Sequence, residues 1–187
     1  MRSNGLFGGV RKKASFLLPA LAGAMLLGMP SAAEAQEVRW DDLEQDLQQE
    51  AELKGGFIPI RELGLKMWLP DNMKEAELDD ALRGAGYLHY YKAEGEEDTA
   101  AITYVDMNGI TLEDYETMVQ EAGGSDLEEI DLNGLGAVSY RLESSNLAAV
   151  SFVTEKGYVL EFLFYPTTDA DYEKAIQYMT GSIMSEE

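Results

Sequence analysis

The 187-residue chain has no cysteine, and its single histidine is His89. Without cysteine the fold has no disulfide, no thiolate nucleophile and no thiolate metal ligand. Catalytic designs built on histidine or cysteine, such as Ser-His-Asp triads, Cys-His pairs and His-rich zinc sites, are therefore not expected. The sequence also has no phosphate loop, dinucleotide fingerprint or Gly-x-Ser-x-Gly elbow. We predict a non-enzymatic protein with no cofactor and no metal site.

Basic residues are scarce as well, with 14 Lys and Arg against 35 Asp and Glu. Four of the basic residues open the chain: Arg2, Arg11, Lys12 and Lys13. An almost uncharged apolar stretch follows at residues 14–29, which is shorter than the roughly 20 residues of a membrane-spanning helix. Basic residues before a short apolar stretch are typical of an export signal.

A cut site follows the apolar stretch. Ala33 and Ala35 flank Glu34 in the small-x-small pattern that signal peptidases recognise. We predict that residues 1–35 are a signal peptide cleaved between Ala35 and Gln36, and that the protein is secreted or held in the cell envelope. An uncleaved anchor is the alternative. Since no cysteine is present to carry a lipid, no stable membrane anchor is expected after cleavage.

Removal of the leader makes the protein strongly acidic. The whole chain has a net charge of −21 and the leader a net charge of +3, so the remaining 152 residues carry a net charge of −24. Such a charge repels nucleic acid and anionic lipid head groups. The expected partner is therefore an envelope or extracellular protein, or a small ligand, and not a nucleic acid.

Hydrophobic periodicity predicts three helices in the mature chain. An N-terminal amphipathic segment at 36–56 contains the first helix, at 40–53. The second spans 112–122 and is capped by Thr111, and the last follows a cap at Thr168. The region 73–86 is less regular, with a strand predicted at 75–78 and a helical turn at 79–83.

Alternating and fully apolar runs predict strands, several of which are joined by tight turns. Asn133-Gly134 is a strong hairpin signal, because both residues tolerate positive φ. Residues 158–165 are apolar except for Glu161, which predicts a central strand covered on both faces. The predicted strands are 57–60, 65–69, 87–93, 100–105, 127–132, 135–142, 147–154 and 158–165. Residues 57–187 should therefore form one α+β domain with an antiparallel sheet flanked by helices.

Several segments of this domain resemble a known family. They are Gly-Leu-Lys-Met-Trp-Leu-Pro at 64–70, Thr-Leu-Glu-Asp-Tyr at 111–115, Asn-Gly-Leu at 133–135 and Gly-Tyr-Val-Leu-Glu-Phe at 157–162. Together with the closing helix, they make residues 57–184 similar to the Mog1/PsbP-like superfamily, which includes exported bacterial PsbP-like and DcrB-like proteins. The resemblance implies an α/β/α sandwich and an accessory or binding role. It implies little chemistry, because the members of this superfamily are mostly accessory or binding proteins that resemble one another more in shape than in activity.

The candidate ligand site lies in the aromatic strand at 87–93. Because side chains alternate along a strand, Tyr87, His89 and Tyr91 are expected on one face, where three rings can stack on a planar ligand. An ordinary half-exposed strand face is the competing interpretation. Two other functions are open: a hydrolase using two carboxylates, since the chain has many acids, and a calcium-dependent structural module.

Overall fold

A computed structural model describes residues 35–186. The predicted signal peptide lies outside the described residues, apart from Ala35 at its end. No helix in residues 35–186 combines the length and the apolar character needed to cross a membrane. The described chain forms an eight-stranded sheet and a three-stranded sheet with four α-helices.

The elements follow one another in the order β1-α1-β2-β3-β4-α2-β5-β6-α3-β7-β8-β9-β10-α4-β11, with a 3₁₀ turn at Glu143–Ser145. The helices are α1 Trp40–Leu47, α2 Asp80–Gly84, α3 Leu112–Glu121 and α4 Ala170–Gly181. The strands are β1 Gln36–Val38, β2 Gly55–Ile60, β3 Leu65–Pro70, β4 Met73–Glu75, β5 Tyr87–Ala93, β6 Thr99–Asp106, β7 Ser125–Leu132, β8 Leu135–Leu142, β9 Leu147–Val153, β10 Tyr158–Tyr165 and β11 Met184–Ser185.

The large sheet has the strand order β1-β7-β8-β9-β10-β6-β5-β4. Its neighbours are antiparallel except at one edge, where β1 pairs in parallel with β7. Strand β10 lies between β9 and β6, which confirms the central position predicted from its apolar run. The small sheet has the order β11-β3-β2.

Two separate cores form on the two faces of the large sheet. The α4 face packs against α1, α4 and the small sheet, around Phe162, Ile176 and Met179. The α3 face packs against α3, around Tyr115, Val119 and residues from β8 to β10. This arrangement is an α+β sandwich, as predicted. The second sheet on the α4 face was not expected as a separate layer, because the sequence shows strands and not their grouping.

Most predicted elements are confirmed, and four predictions about individual elements are wrong. The strand predicted at 75–78 lies at Met73–Glu75 instead. The first helix ends at Leu47 instead of residue 53. Residues 36–38 form β1, so the large sheet is mixed and not purely antiparallel. The last helix is capped by Asp169 and not by Thr168, since the Asp169 carboxylate accepts hydrogen bonds from the backbone of Asp171 and Tyr172. A carboxylate at this position also interacts favourably with the positive end of the helix dipole.

Candidate functional site

The aromatic strand β5 does not place its three predicted residues together. The pairing of β5 with β6 shifts register between Tyr87 and His89. As a result Tyr87 packs on the α3 face, whereas Tyr91 belongs to the core of the α4 face. The prediction that all three rings share one face is therefore wrong, because a bulge reverses the alternation. His89 and Tyr91 do stack, with ring centroids 6.0 Å apart.

His89 is held between two carboxylates rather than left open. Its Nδ1 lies 2.8 Å from Glu75 Oε1, and its Nε2 lies 3.3 Å from Glu62 Oε2. Glu62 follows strand β2 of the small sheet, and Glu75 ends β4 of the large sheet. The imidazole thus links the two sheets. Binding of a planar ligand at Tyr87, His89 and Tyr91 stays a prediction.

A buried polar cluster lies at the centre of the α3 face, and we call it the tyrosine-glutamate cluster. Glu161 is 3% exposed and accepts hydrogen bonds from Tyr115 and Thr103, both at 2.8 Å. The Tyr115 hydroxyl also lies 2.6 Å from that of Tyr140 and 2.8 Å from Ser151 Oγ. Every polar group in this cluster has a partner, as burial requires.

Burial raises the pKa of Glu161, although the hydrogen bonds from Thr103 and Tyr115 act in the opposite direction. Desolvation outweighs them because the ionised carboxylate loses its water. A perturbed acid is one indicator of function. Here, however, the hydroxyls enclose the carboxyl and anchor α3. The single acid in the apolar β10 sequence was the signal for this cluster.

An acidic cleft lies on the α4 face, at the start of α4. It encloses about 230 Å³, and Glu96, Asp98, Asp169 and Asp171 are among the residues that line it. Burial, followed by the hydrogen bond and repulsion from Glu96, raises the pKa of Asp98 to about 6. Within residues 35–186, no three histidine or acidic side chains are arranged to hold a metal ion.

A groove with a different lining lies at the β1 edge, between α4 and the outer strands. This edge groove encloses about 190 Å³. Its apolar wall is formed by Val38, Leu43, Ile130 and Leu132, which come from β1, α1 and β7. Polar residues complete it, with Ser139 and Thr180 inside and Gln36, Glu128 and Gln177 exposed at its rim. An apolar pocket with a few converging polar groups is the usual form of a small-ligand site.

Thr180 gives the edge groove its most unusual feature. The residue is 4% exposed, and within residues 35–186 its Oγ1 has no hydrogen-bond partner. A buried hydroxyl without a partner costs about 1–3 kcal/mol. Threonine in a helix can bond the carbonyl one turn earlier, but the Thr180 hydroxyl does not. Thr180 is among the residues that line the groove, so a ligand there would lie close to this hydroxyl.

The side chain of Asn133 fixes one end of the groove. Its Oδ1 accepts a hydrogen bond from Trp40 N at 2.8 Å, and its Nδ2 donates to the carbonyls of Gly181 and Ile183, both at 2.9 Å. The Asn133 backbone N–H also bonds Val38 O at 3.0 Å. One turn residue therefore ties together β1, the start of α1 and the end of α4. The sequence predicted its turn but not this clamp, because the partners are remote in the chain.

Comparisons with known proteins bear on the fold. No family model and no curated protein matches the chain. The solution structure of cyanobacterial PsbP from Synechocystis matches with a TM-score of 0.51 and 13% identity, over 86% of this chain and 98% of that one. The domain has a Mog1/PsbP-like fold. This confirms the fold expected from the sequence.

A second solved structure is also similar to the chain. It is the Saccharomyces cerevisiae Ran-binding protein Mog1p, with a TM-score of 0.40 and 10% identity, over 73% of this chain and 97% of that one. At these identities the likeness extends to the backbone alone. The edge groove has to be judged on its own residues.

Proposed function

We propose that the protein is an exported, non-catalytic accessory protein that binds a small, partly apolar ligand in the edge groove. The observation that carries this proposal is the unpaired, buried hydroxyl of Thr180 in a groove with an apolar wall. The hydroxyl lowers the stability of the free protein. Retaining it is understandable if a bound ligand completes its hydrogen bonding.

The lining of the groove favours binding over catalysis. Among its described lining residues, Glu128 alone carries an ionisable side chain. General acid–base chemistry needs at least one further proton donor or acceptor, or a nucleophile activated by a base. Ser139 and Thr180 have no such base beside them among the residues that line the groove. The arrangement therefore suits a ligand that is bound and released without chemical change.

Export is the second part of the proposal. It is supported by the basic and apolar leader and by the small residues before Gln36. Gln36 also begins β1 and lines the groove. Cleavage at this bond would make the first residue of the mature protein part of the binding site. N-terminal sequencing of the exported protein tests this step, and a start at Met1 would contradict it.

Ligand binding can be tested by blocking the mouth of the groove. The purified protein is titrated with 1-hexanol and 2-phenylethanol while amide shifts are followed by NMR. We expect the largest shifts at residues 128–139 and 177–181. Gln177→Trp places an indole at the exposed rim and should weaken binding at least about tenfold, or about 1.4 kcal/mol.

A matched control separates blocking from a general effect of a new tryptophan. Gln120 is an exposed glutamine at the end of α3, on the opposite side of the sheet. Gln120→Trp should leave alcohol binding unchanged. Equal affinity of the two variants, or shifts located away from the groove, would refute the proposed site.

A further inference from the structure

We infer that the natural ligand of the edge groove is a small cationic amphiphile, with a primary amine at one end of an apolar body. This inference rests on the proposed function of the groove and names the class of its ligand. It comes from the charge at the rim, the hydrogen-bonding character of the lining and the charge of the whole protein.

Glu128 supplies the charge at the rim. It lies on β7, directly opposite Ser139 of β8, and its side chain is exposed. Within residues 35–186 no hydrogen bond or ion pair engages its carboxylate, and two arginines in this part of the fold already have acidic partners. Arg39 pairs with Glu37 and Asp131, and Arg141 pairs with Glu173. The rim of the groove therefore offers one free carboxylate. Cleavage before Gln36 would also bring an α-amino group to this rim, so the inference applies to the mature protein whose N-terminal glutamine has cyclised to uncharged pyroglutamate.

The other polar groups in the groove can all accept a hydrogen bond. They are the hydroxyls of Ser139 and Thr180 and the side-chain carbonyls of Gln36 and Gln177. An ammonium group carries three N–H donors and no acceptor, so it matches this set. A ligand carboxylate would be repelled by the carboxylate of Glu128. It could accept hydrogen bonds only from the hydroxyl and amide groups of the groove. The lining thus discriminates by charge.

The apolar wall accounts for the rest of the ligand. Val38, Leu43 and Ile130 offer aliphatic surface but no polar atom. At about 190 Å³ the groove is smaller than the roughly 300–1,000 Å³ of pockets for drug-sized ligands. A short alkyl chain or a single ring is therefore the expected body. The acidic field of the protein would also concentrate such cations near its surface.

The test compares three ligands that share one body: hexylamine, 1-hexanol and hexanoate. Affinities for the purified protein are measured by NMR titration at low salt. We expect hexylamine to bind about fivefold more tightly than 1-hexanol, the upper range for an exposed ion pair. Hexanoate should bind most weakly. High salt should reduce the advantage of the amine but not the affinity of the alcohol.

Two neighbouring glutamates provide the variant and its control. Glu128→Gln should bring hexylamine to the affinity of 1-hexanol. Glu129→Gln removes the same charge one residue away, on a side chain that points to the other face of β7, and should leave the preference for the amine intact. Equal losses in the two variants would attribute the preference to the overall charge and overturn the inference.

The remaining outcomes separate this inference from the proposed function. If amine and alcohol bind the groove equally tightly in the unmodified protein, the groove is a ligand site but the cationic class is wrong. If none of the three ligands binds, the proposed function fails and the ligand class fails with it.

Discussion

The α3 face and the α4 face of the large sheet are covered in different ways. One helix covers the α3 face, and its centre is the tyrosine-glutamate cluster around Glu161. Two helices and a second sheet cover the α4 face, which is closed by apolar side chains such as Phe162. A single short helix offers little apolar area, so directed hydrogen bonds help to fix its position. The thicker layer relies more on apolar contact, although the Asn133 side chain also ties the end of α4 by hydrogen bonds, and the Thr180 hydroxyl on this face has no partner in the described residues.

The largest expected difference comes from two neighbours on β10 that point to opposite faces. Phe162→Ala leaves a cavity in the core of the α4 face and should lower the free energy of unfolding by about 3–5 kcal/mol. Glu161→Ala leaves the hydroxyls of Tyr115 and Thr103 without an acceptor but also removes a desolvated acid. We expect a loss of about 1–3 kcal/mol. Urea unfolding measures both, and a larger loss for Glu161→Ala would reverse the comparison.

A smaller change on the α3 face isolates one hydrogen-bond donor. Tyr115→Phe removes the hydroxyl that lies within 2.8 Å of Tyr140, Ser151 and Glu161. The loss should be about 1–2 kcal/mol, because the partners stay buried. The pKa of Glu161 should rise further, since the Tyr115 hydrogen bond favours its ionised form. Tyr104→Phe, at a ring that is 36% exposed, is the control and should change stability by less than about 0.5 kcal/mol.

On the α4 face, removal of a polar group should increase the free energy of unfolding instead of lowering it. Thr180→Val keeps the branched shape and deletes the unpaired hydroxyl, so the free energy of unfolding should increase by about 1 kcal/mol. The same variant should bind 1-hexanol more weakly, because the ligand hydroxyl loses its partner. Thr117→Val on α3, where the hydroxyl bonds Glu113 O at 2.9 Å, is the matched control and should not stabilise. A destabilised Thr180→Val would mean that its hydroxyl is already satisfied.

The sequence predicted the elements well and their side-chain neighbourhoods poorly. The boundaries of β8 and β10, the cap at Thr111 and the Asn133-Gly134 turn follow from local chemistry. The three-residue strand β1 and the bulge in β5 depend on pairing with remote strands. For this reason the sequence predicted neither the parallel pair at the sheet edge nor the separation of the aromatic rings onto two faces. The edge groove joins residues separated by more than 140 positions in the chain, so no local pattern could indicate it.

The smallest expected effect concerns the acids of the two faces. The pKa of Asp98 in the folded state is about 6, above the ordinary value of 3.8. A raised folded pKa means that the folded state holds its proton more tightly, so this stabilisation is full below pH 3.8 and is lost as pH rises through 6. Because water screens the cleft, the loss should not exceed about 1 kcal/mol.

Asp98→Asn tests this assignment, because it removes the titration without removing the side chain. The stability of the variant should fall less than that of the unmodified protein between pH 4 and pH 7, as measured by urea unfolding at each pH. Added salt should lower the pKa of Asp98, since Glu96 and Asp169 repel it through solvent. The pKa of Glu161, enclosed by hydroxyls on the α3 face, should respond much less. An equal response of both acids would show that water reaches the tyrosine-glutamate cluster, and that the α3 face is less tightly closed than its hydrogen bonds indicate.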